Sequence, residues 1–230
     1  MAILKIAHRG ASGWEPENTF SAFDKALEIG VDMIECDVRL CKSGELVVMH
    51  DNKTERMTGI KAKISSLTLE EIKKLRVAGK YEIPTLEEVI KKYADKTQIM
   101  VDVKSGAAAA EIVRLIKKYK THPKILITST NQALLLDIVM RDPEIRTSIS
   151  FDIYSYAKYL FVKKLFVLPA KLVGANTVNV YHKFVQDKMV ERAHKYGLKI
   201  NVYAPDQLED IEYFKKIGVD GIISNYPDKI

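Results

Sequence analysis

Three short stretches of the chain carry the residue types that move protons and hold phosphate. In IAHRGASGWEPENTF (6–20) an apolar run ends on His8 and Arg9 and turns at once through Gly10. In ECD (35–37) and DVK (102–104), Glu35 pairs with Asp37 and Asp102 with Lys104, each two apart and so on one face of an extended strand. His50 follows in VVMHD. Glu35, Asp37 and Asp102 form an all-oxygen donor set that suits a hard cation, Mg²⁺ or Ca²⁺, with Mn²⁺ as a further option. Ion pairs to Arg9, Arg39 and Lys104 are the alternative. Three acids at adjacent strand ends raise one another's pKa unless something positive sits among them. With two histidines beside them, the cation is the stronger reading. His8 and His50 suit paired general acid and base work near neutral pH. Arg9 and Lys104 suit the oxygens of a phosphate, Arg binding two at once.

These residues need strand ends that converge. Apolar, β-branched runs at 3–8, 33–39, 98–104, 124–129, 146–151, 176–181, 199–204 and 221–225 alternate with segments of helical period. Eight strands with crossover helices predict an α/β fold, a (β/α)8 TIM barrel whose ligand site lies at the C-terminal strand ends. LCKSGELVVMHD follows the second strand too closely for a parallel crossover, so it predicts an antiparallel hairpin. A two-residue turn at Ser43-Gly44 pairs Leu40 with Val47, Val38 with Met49 and Asp37 with His50. One catalytic domain over 1–230 is expected, with a small insertion at about 52–84 whose helix TLEEIKKL is capped by Ser66 or Thr68.

A net charge of +6 spread over helical lysines points to solvated helix faces rather than a compact nucleic-acid footprint, with weak attraction to anionic substrates or lipid surfaces still open. Cys36 and Cys41 read as buried hydrophobes in a reduced compartment, not as a disulfide or zinc site. Met1 leads directly into a strand without a signal-like segment, so a cytoplasmic location is expected. The aromatic and basic tract 151–173 reads as a helix against the barrel exterior, with contact to a membrane surface the less favoured alternative. His122 and His194 carry no assigned role, and His182 stays open.

HRGAS…PENT (8–19), ECDV (35–38), SGELVVMHD (43–51) and VDGIISNYP (219–227) together resemble the glycerophosphodiester phosphodiesterase family across nearly the whole chain. The resemblance implies His8 and His50 as acid–base catalysts, in unassigned order, and Glu35, Asp37 and Asp102 as ligands of one divalent metal. It implies Arg9 and Lys104 on the phosphate, Tyr203 against the alcohol moiety and Glu17 orienting the site from behind. For Glu17 a favourable place near a helix N-terminus is an equal alternative. The implied reaction is metal-dependent hydrolysis of a small-molecule glycerophosphodiester to glycerol 3-phosphate (or an archaeal counterpart) and an alcohol, through a cyclic phosphate. Lysophospholipase D-like hydrolysis and a non-catalytic phosphodiester-binding barrel are the alternatives. The chain departs from the family pattern with Asp102 for Glu, Tyr203 for Trp, and Asn225 where Asp is frequent.

Overall fold

The computed structural model describes residues 3–151 and 166–230. Its nine strands are β1 (Leu4–Ala7), β2 (Met33–Leu40), β3 (Leu46–Val48), β4 (Gln98–Val103), β5 (Ile125–Ser129), β6 (Arg146–Phe151), β7 (Thr177–Tyr181), β8 (Lys199–Tyr203) and β9 (Gly221–Ser224). All but β3 are parallel and form a ring, β1-β9-β8-β7-β6-β5-β4-β2, closed by β1 on β2. β3 pairs antiparallel with β2 outside it. The expected TIM barrel with a hairpin extension is therefore present. Most of the tract 151–173 lies outside the described residues.

Alternation along the strands sorts the side chains into two layers. Outward residues such as Ile34, Cys36, Val101, Ile127, Val178 and Ile200 join the helices in one large core. Inward residues Ile6, Met33, Met100, Leu126 and Ile223 fill the lower barrel. Above them the interior turns polar: Asn179 Nδ2 donates to Thr128 and Ser148 at 3.0 Å, and Asn201 Nδ2 donates to Asn179 Oδ1 at 2.9 Å. These bonds offset much of the cost of leaving water, although Asn201 Oδ1 is buried without a hydrogen-bond partner.

The helices begin where the sequence offers caps. Thr19 accepts from the Ala22 N–H ahead of Phe20–Ile29, and Thr85 with Glu88 forms a capping box ahead of Leu86–Tyr93. In the insertion, Thr68 and not Ser66 caps Leu69–Lys73. Cys36 and Cys41 are free and buried, the second one residue past the end of β2. No helix among the described residues is long and apolar enough to cross a membrane.

The hairpin register differs by one from the expected pairing. Val38 faces Val48, Arg39 faces Val47 and Leu40 faces Leu46. The connection is a three-residue loop, Lys42-Ser43-Gly44: the Cys41 N–H donates to Glu45 O at 2.9 Å and the Gly44 N–H to Cys41 O at 3.1 Å. Gly44 sits at φ +99°, the left-handed residue that closes such a loop. A slip of one turns every side chain to the other face. Leu46 and Val48 thus join the main core, while Val47 and Met49 pack on Ile64, Ile72 and Ile83 of the insertion. The two-residue alternative would exchange the two pairs, setting Leu46 and Val48 against the insertion instead.

β1 ends in a turn that only glycine completes. Arg9 (φ +58°) and Gly10 (φ +80°) are both left-handed. A Cβ on Gly10 would lie 2.6 Å from the Ala22 carbonyl carbon. Gly10→Ala should therefore cost about 2–5 kcal/mol, combining left-handed strain with overpacking. Gly44→Ala, with nothing within 4 Å of the new Cβ, should cost only the strain, about 1 kcal/mol. Urea unfolding of both variants measures the difference.

Candidate active site

The C-terminal strand ends surround a cavity of about 430 Å³ lined by His8, Arg9, Glu35, Asp37, His50, Asp102, Lys104 and Tyr203 among others. Eight of the nine expected site residues thus share one cavity. Glu17 stands just outside it, bonded to Arg9.

β2 and β4 supply the acids. Asp37 and Asp102 are direct register partners, and Glu35 lies one inward step below on β2. Asp37 is 1 % exposed. Its Oδ2 takes an ion pair from Arg9 Nε at 3.1 Å and a hydrogen bond from Asn18 Nδ2 at 2.9 Å, and its Oδ1 faces Lys104 Nζ at 3.2 Å. Burial alone would raise this carboxyl; Lys104, Arg9 and His50 overcome that and hold it at about 2. Lys104 Nζ also donates to Asp102 Oδ2 at 2.6 Å. The ion-pair reading of the cluster is therefore partly realised, but it leaves charge over.

That residue of charge is what a cation would answer. Burial, then Asp37 and Asp102, push the Glu35 carboxyl well up, and burial raises Asp102 as well. Asp102 Oδ1 is buried without a hydrogen-bond partner. One oxygen from each of Glu35, Asp37 and Asp102 lies within 4.8 Å of the others, a span that a hard cation with bonds of about 2.1–2.4 Å covers. The group fits a divalent ion, and the shorter Asp102 still reaches because its backbone is level with Asp37.

The left-handed turn at Arg9 has a use here: it aims the Arg9 N–H at Glu35 Oε2, 2.8 Å away. Glu17 Oε1 accepts from Arg9 Nη1 at 3.1 Å and from Arg56 Nη2 at 2.7 Å. Glu17 lies two residues before the Thr19 cap, and its carboxylate is bonded to Arg9 and Arg56.

His50 does not face Asp37 across the hairpin; Met49 does, its N–H donating to Asp37 O at 2.9 Å. His50 reaches the cavity because β3 stops at Val48 and Arg39 Nε holds the His50 carbonyl at 2.8 Å. Its Nδ1 lies 2.8 Å from Asp51 Oδ1, and Asp51 Oδ2 accepts from Arg56 Nε at 2.6 Å. The Arg56 hydrogen bond, with His50 adding, holds Asp51 at about 2 against a partial burial penalty. His8 Nδ1 lies 2.8 Å from Asn225 Oδ1. Tyr203 stands on the wall with its hydroxyl donating to the Phe151 carbonyl at 2.9 Å.

His182 lies outside this cavity, against Tyr181 and 3.8 Å from Asp210. His122 and His194 pair with Asp142 and Asp220. Sequence reasoning missed Asn18, Asp51, Arg56 and Asp206 as site neighbours. The first two lay within the quoted motifs PENT and MHD and were legible there. Arg56 sits in the insertion, where no periodic pattern points inward.

The glycerophosphoryl diester phosphodiesterase family model matches residues 8–229. A glycerophosphodiester phosphodiesterase of Caldanaerobacter subterraneus is 32% identical over 100% of this chain and 97% of its own. A glycerophosphodiester phosphodiesterase structure from Thermotoga maritima superposes with TM-score 0.84 at 27% identity, covering 99% of this chain and 96% of that one. A phosphodiesterase of Oleispira antarctica, in complex with the product sn-glycerol-3-phosphate, shares the fold at TM-score 0.84 and 24% identity over 98% of this chain and 94% of that one. With the motifs, the barrel and the cavity all in place, the chain belongs to the glycerophosphoryl diester phosphodiesterase family and is an enzyme of that kind, a phosphoric diester hydrolase.

Proposed function

We propose that this protein hydrolyses glycerophosphodiesters to glycerol 3-phosphate and an alcohol, with His8 and His50 as its acid–base pair. One observation carries the reading: two imidazoles, three carboxylates and two cations from β1, β2, β4 and the hairpin line a single cavity of about 430 Å³. A divalent ion, Mg²⁺, Ca²⁺ or Mn²⁺, held by Glu35, Asp37 and Asp102 would supply Lewis-acid polarisation of the phosphoryl group and a lowered hydroxyl pKa. Arg9 and Lys104 bind the non-bridging oxygens, keeping the phosphorus between the two histidines. One imidazole removes the nucleophile's proton and the other protonates the departing alkoxide. Tyr203 packs against the alcohol, and Glu17 fixes the angle of Arg9. The whole of 1–230 acts as one catalytic unit, with the insertion at 52–84 contributing Arg56.

Cation binding is checked by melting. Saturating Mg²⁺ at about a hundred times its Kd should stabilise the folded state by about 2.7 kcal/mol, and Glu35→Gln or Asp102→Asn should erase the shift. His8→Ala and His50→Ala should each lower kcat by about 10²–10⁴ while keeping the Mg²⁺-induced shift. A panel of glycerophosphocholine, glycerophosphoethanolamine, glycerophosphoglycerol and lysolipids, run with each metal after chelation, decides the substrate. Turnover confined to lysolipids would move the assignment to lysophospholipase D-like hydrolysis; turnover of none would leave a binding barrel.

A further inference from the structure

A second cavity, of about 500 Å³, adjoins the one described above. Its wall is formed by Arg39 of β2 and by residues of the stretch from His50 to Arg56. His50 lines both cavities, so the two meet at this residue. The charges of the second cavity are unevenly committed. Arg56 is taken up by Glu17 and Asp51, and Asp51 is bonded by His50 as well. Arg39 spends its Nε on the His50 carbonyl at 2.8 Å. It makes no ion pair among the described residues, which leaves both Nη groups over. Lys53 and Glu55 are exposed, and solvent screens them alike. The half-buried Arg39 is screened less and sets the sign of the cavity.

We propose that this second cavity binds a phosphate group beside His50, with Arg39 as its anchor and Lys53 assisting. A guanidinium with its Nη pair uncommitted matches two oxygens of a phosphate, and an ammonium adds a point charge. A phosphate monoester carries about −1.5 to −2 at neutral pH, more than any carboxylate, whereas an ammonium headgroup would bring like charge to Arg39. The group has two possible sources, the far end of a substrate or free inorganic phosphate. The substrate source rests on the hydrolytic reading above. With one half of the diester against Tyr203 and the phosphorus between the histidines, the other half passes His50 into the second cavity. A diester that ends in a phosphate monoester there sets that group on Arg39.

Glycerophosphoglycerol, with and without a phosphate on its terminal hydroxyl, tests the substrate source. Wild type should prefer the phosphorylated diester about tenfold in kcat/KM, through KM. Arg39→Gln keeps a side-chain donor for the His50 carbonyl but loses the charge, and should bring that ratio close to one. The ratio is the readout because loss of the His50 bond alone lowers both substrates together. Lys53→Gln, at an exposed position, should lower the ratio about threefold, and it supplies the reading if Arg39→Gln does not fold. Inorganic phosphate tests the other source: it should shift the backbone amide resonances of Asn52 to Arg56 in wild type, and less in either variant. A wild-type ratio close to one with shifted amides assigns the cavity to free phosphate. A ratio close to one with unshifted amides overturns the proposal. So does a preference that neither variant changes, which would put the group on Arg9 and Lys104. If wild type hydrolyses neither diester, the functional reading fails, and the amide titration alone decides whether the cavity takes phosphate.

Discussion

Asp37 carries a charge almost wholly out of water, and most of the site can be understood as the means of keeping it there. An ion of that size in a medium of low polarity is costly by several kcal/mol unless its oxygens are paired and hydrogen-bonded. Arg9, Lys104 and Asn18 meet those needs from three separate places in the chain. Each arrives under constraint: Asn18 and Arg9 both adopt left-handed backbone, and Lys104 is divided between Asp37 and Asp102. Such strain persists only where the surroundings over-determine it. Here the surroundings are the Gly10 turn against Ala22 and the closure of β1 on β2.

Neutralising Asp37 leaves Glu35 and Asp102 short of positive charge, and that imbalance gives the acidic group its fit to a cation. Burial makes the imbalance matter, since in water the same three carboxylates would simply be hydrated. The barrel supplies the burial asymmetrically. Charge gathers at β1, β2 and β4, whereas the β5–β8 side of the interior holds hydroxyls and amides hydrogen-bonded to one another, with Asn201 Oδ1 left over. A charged cluster is thereby set against a neutral, hydrogen-bonded wall.

A second tier of charge ties the insertion to this centre. Arg56 bonds both Glu17, which steadies Arg9, and Asp51, which steadies His50. The insertion is held in turn by Val47 and Met49 of the hairpin. The one-residue register of that hairpin therefore decides which of its side chains carry the insertion that holds Arg56.

What the sequence by itself determined is everything that depends on alternation and spacing. The eight ring strands, the face shared by Glu35 and Asp37, the partnership of Asp102 with Lys104 and the stop at His8-Arg9 were legible because a strand's side-chain period is two wherever the strand lies. The cavity's main residues could be named for the same reason. The hairpin register, the route of His50, the reach of Arg56 and the backing of His8 by Asn225 and Asp206 were decided only by tertiary structure. The register hangs on one residue of loop length and on an apolar surface contributed some twenty to forty positions later. The amide of Asn225 donates to Asp206, a carboxylate on another strand's loop, at 2.6 Å. No local pattern encodes contacts of that kind, because their free energy appears only when the barrel closes and takes both partners out of water.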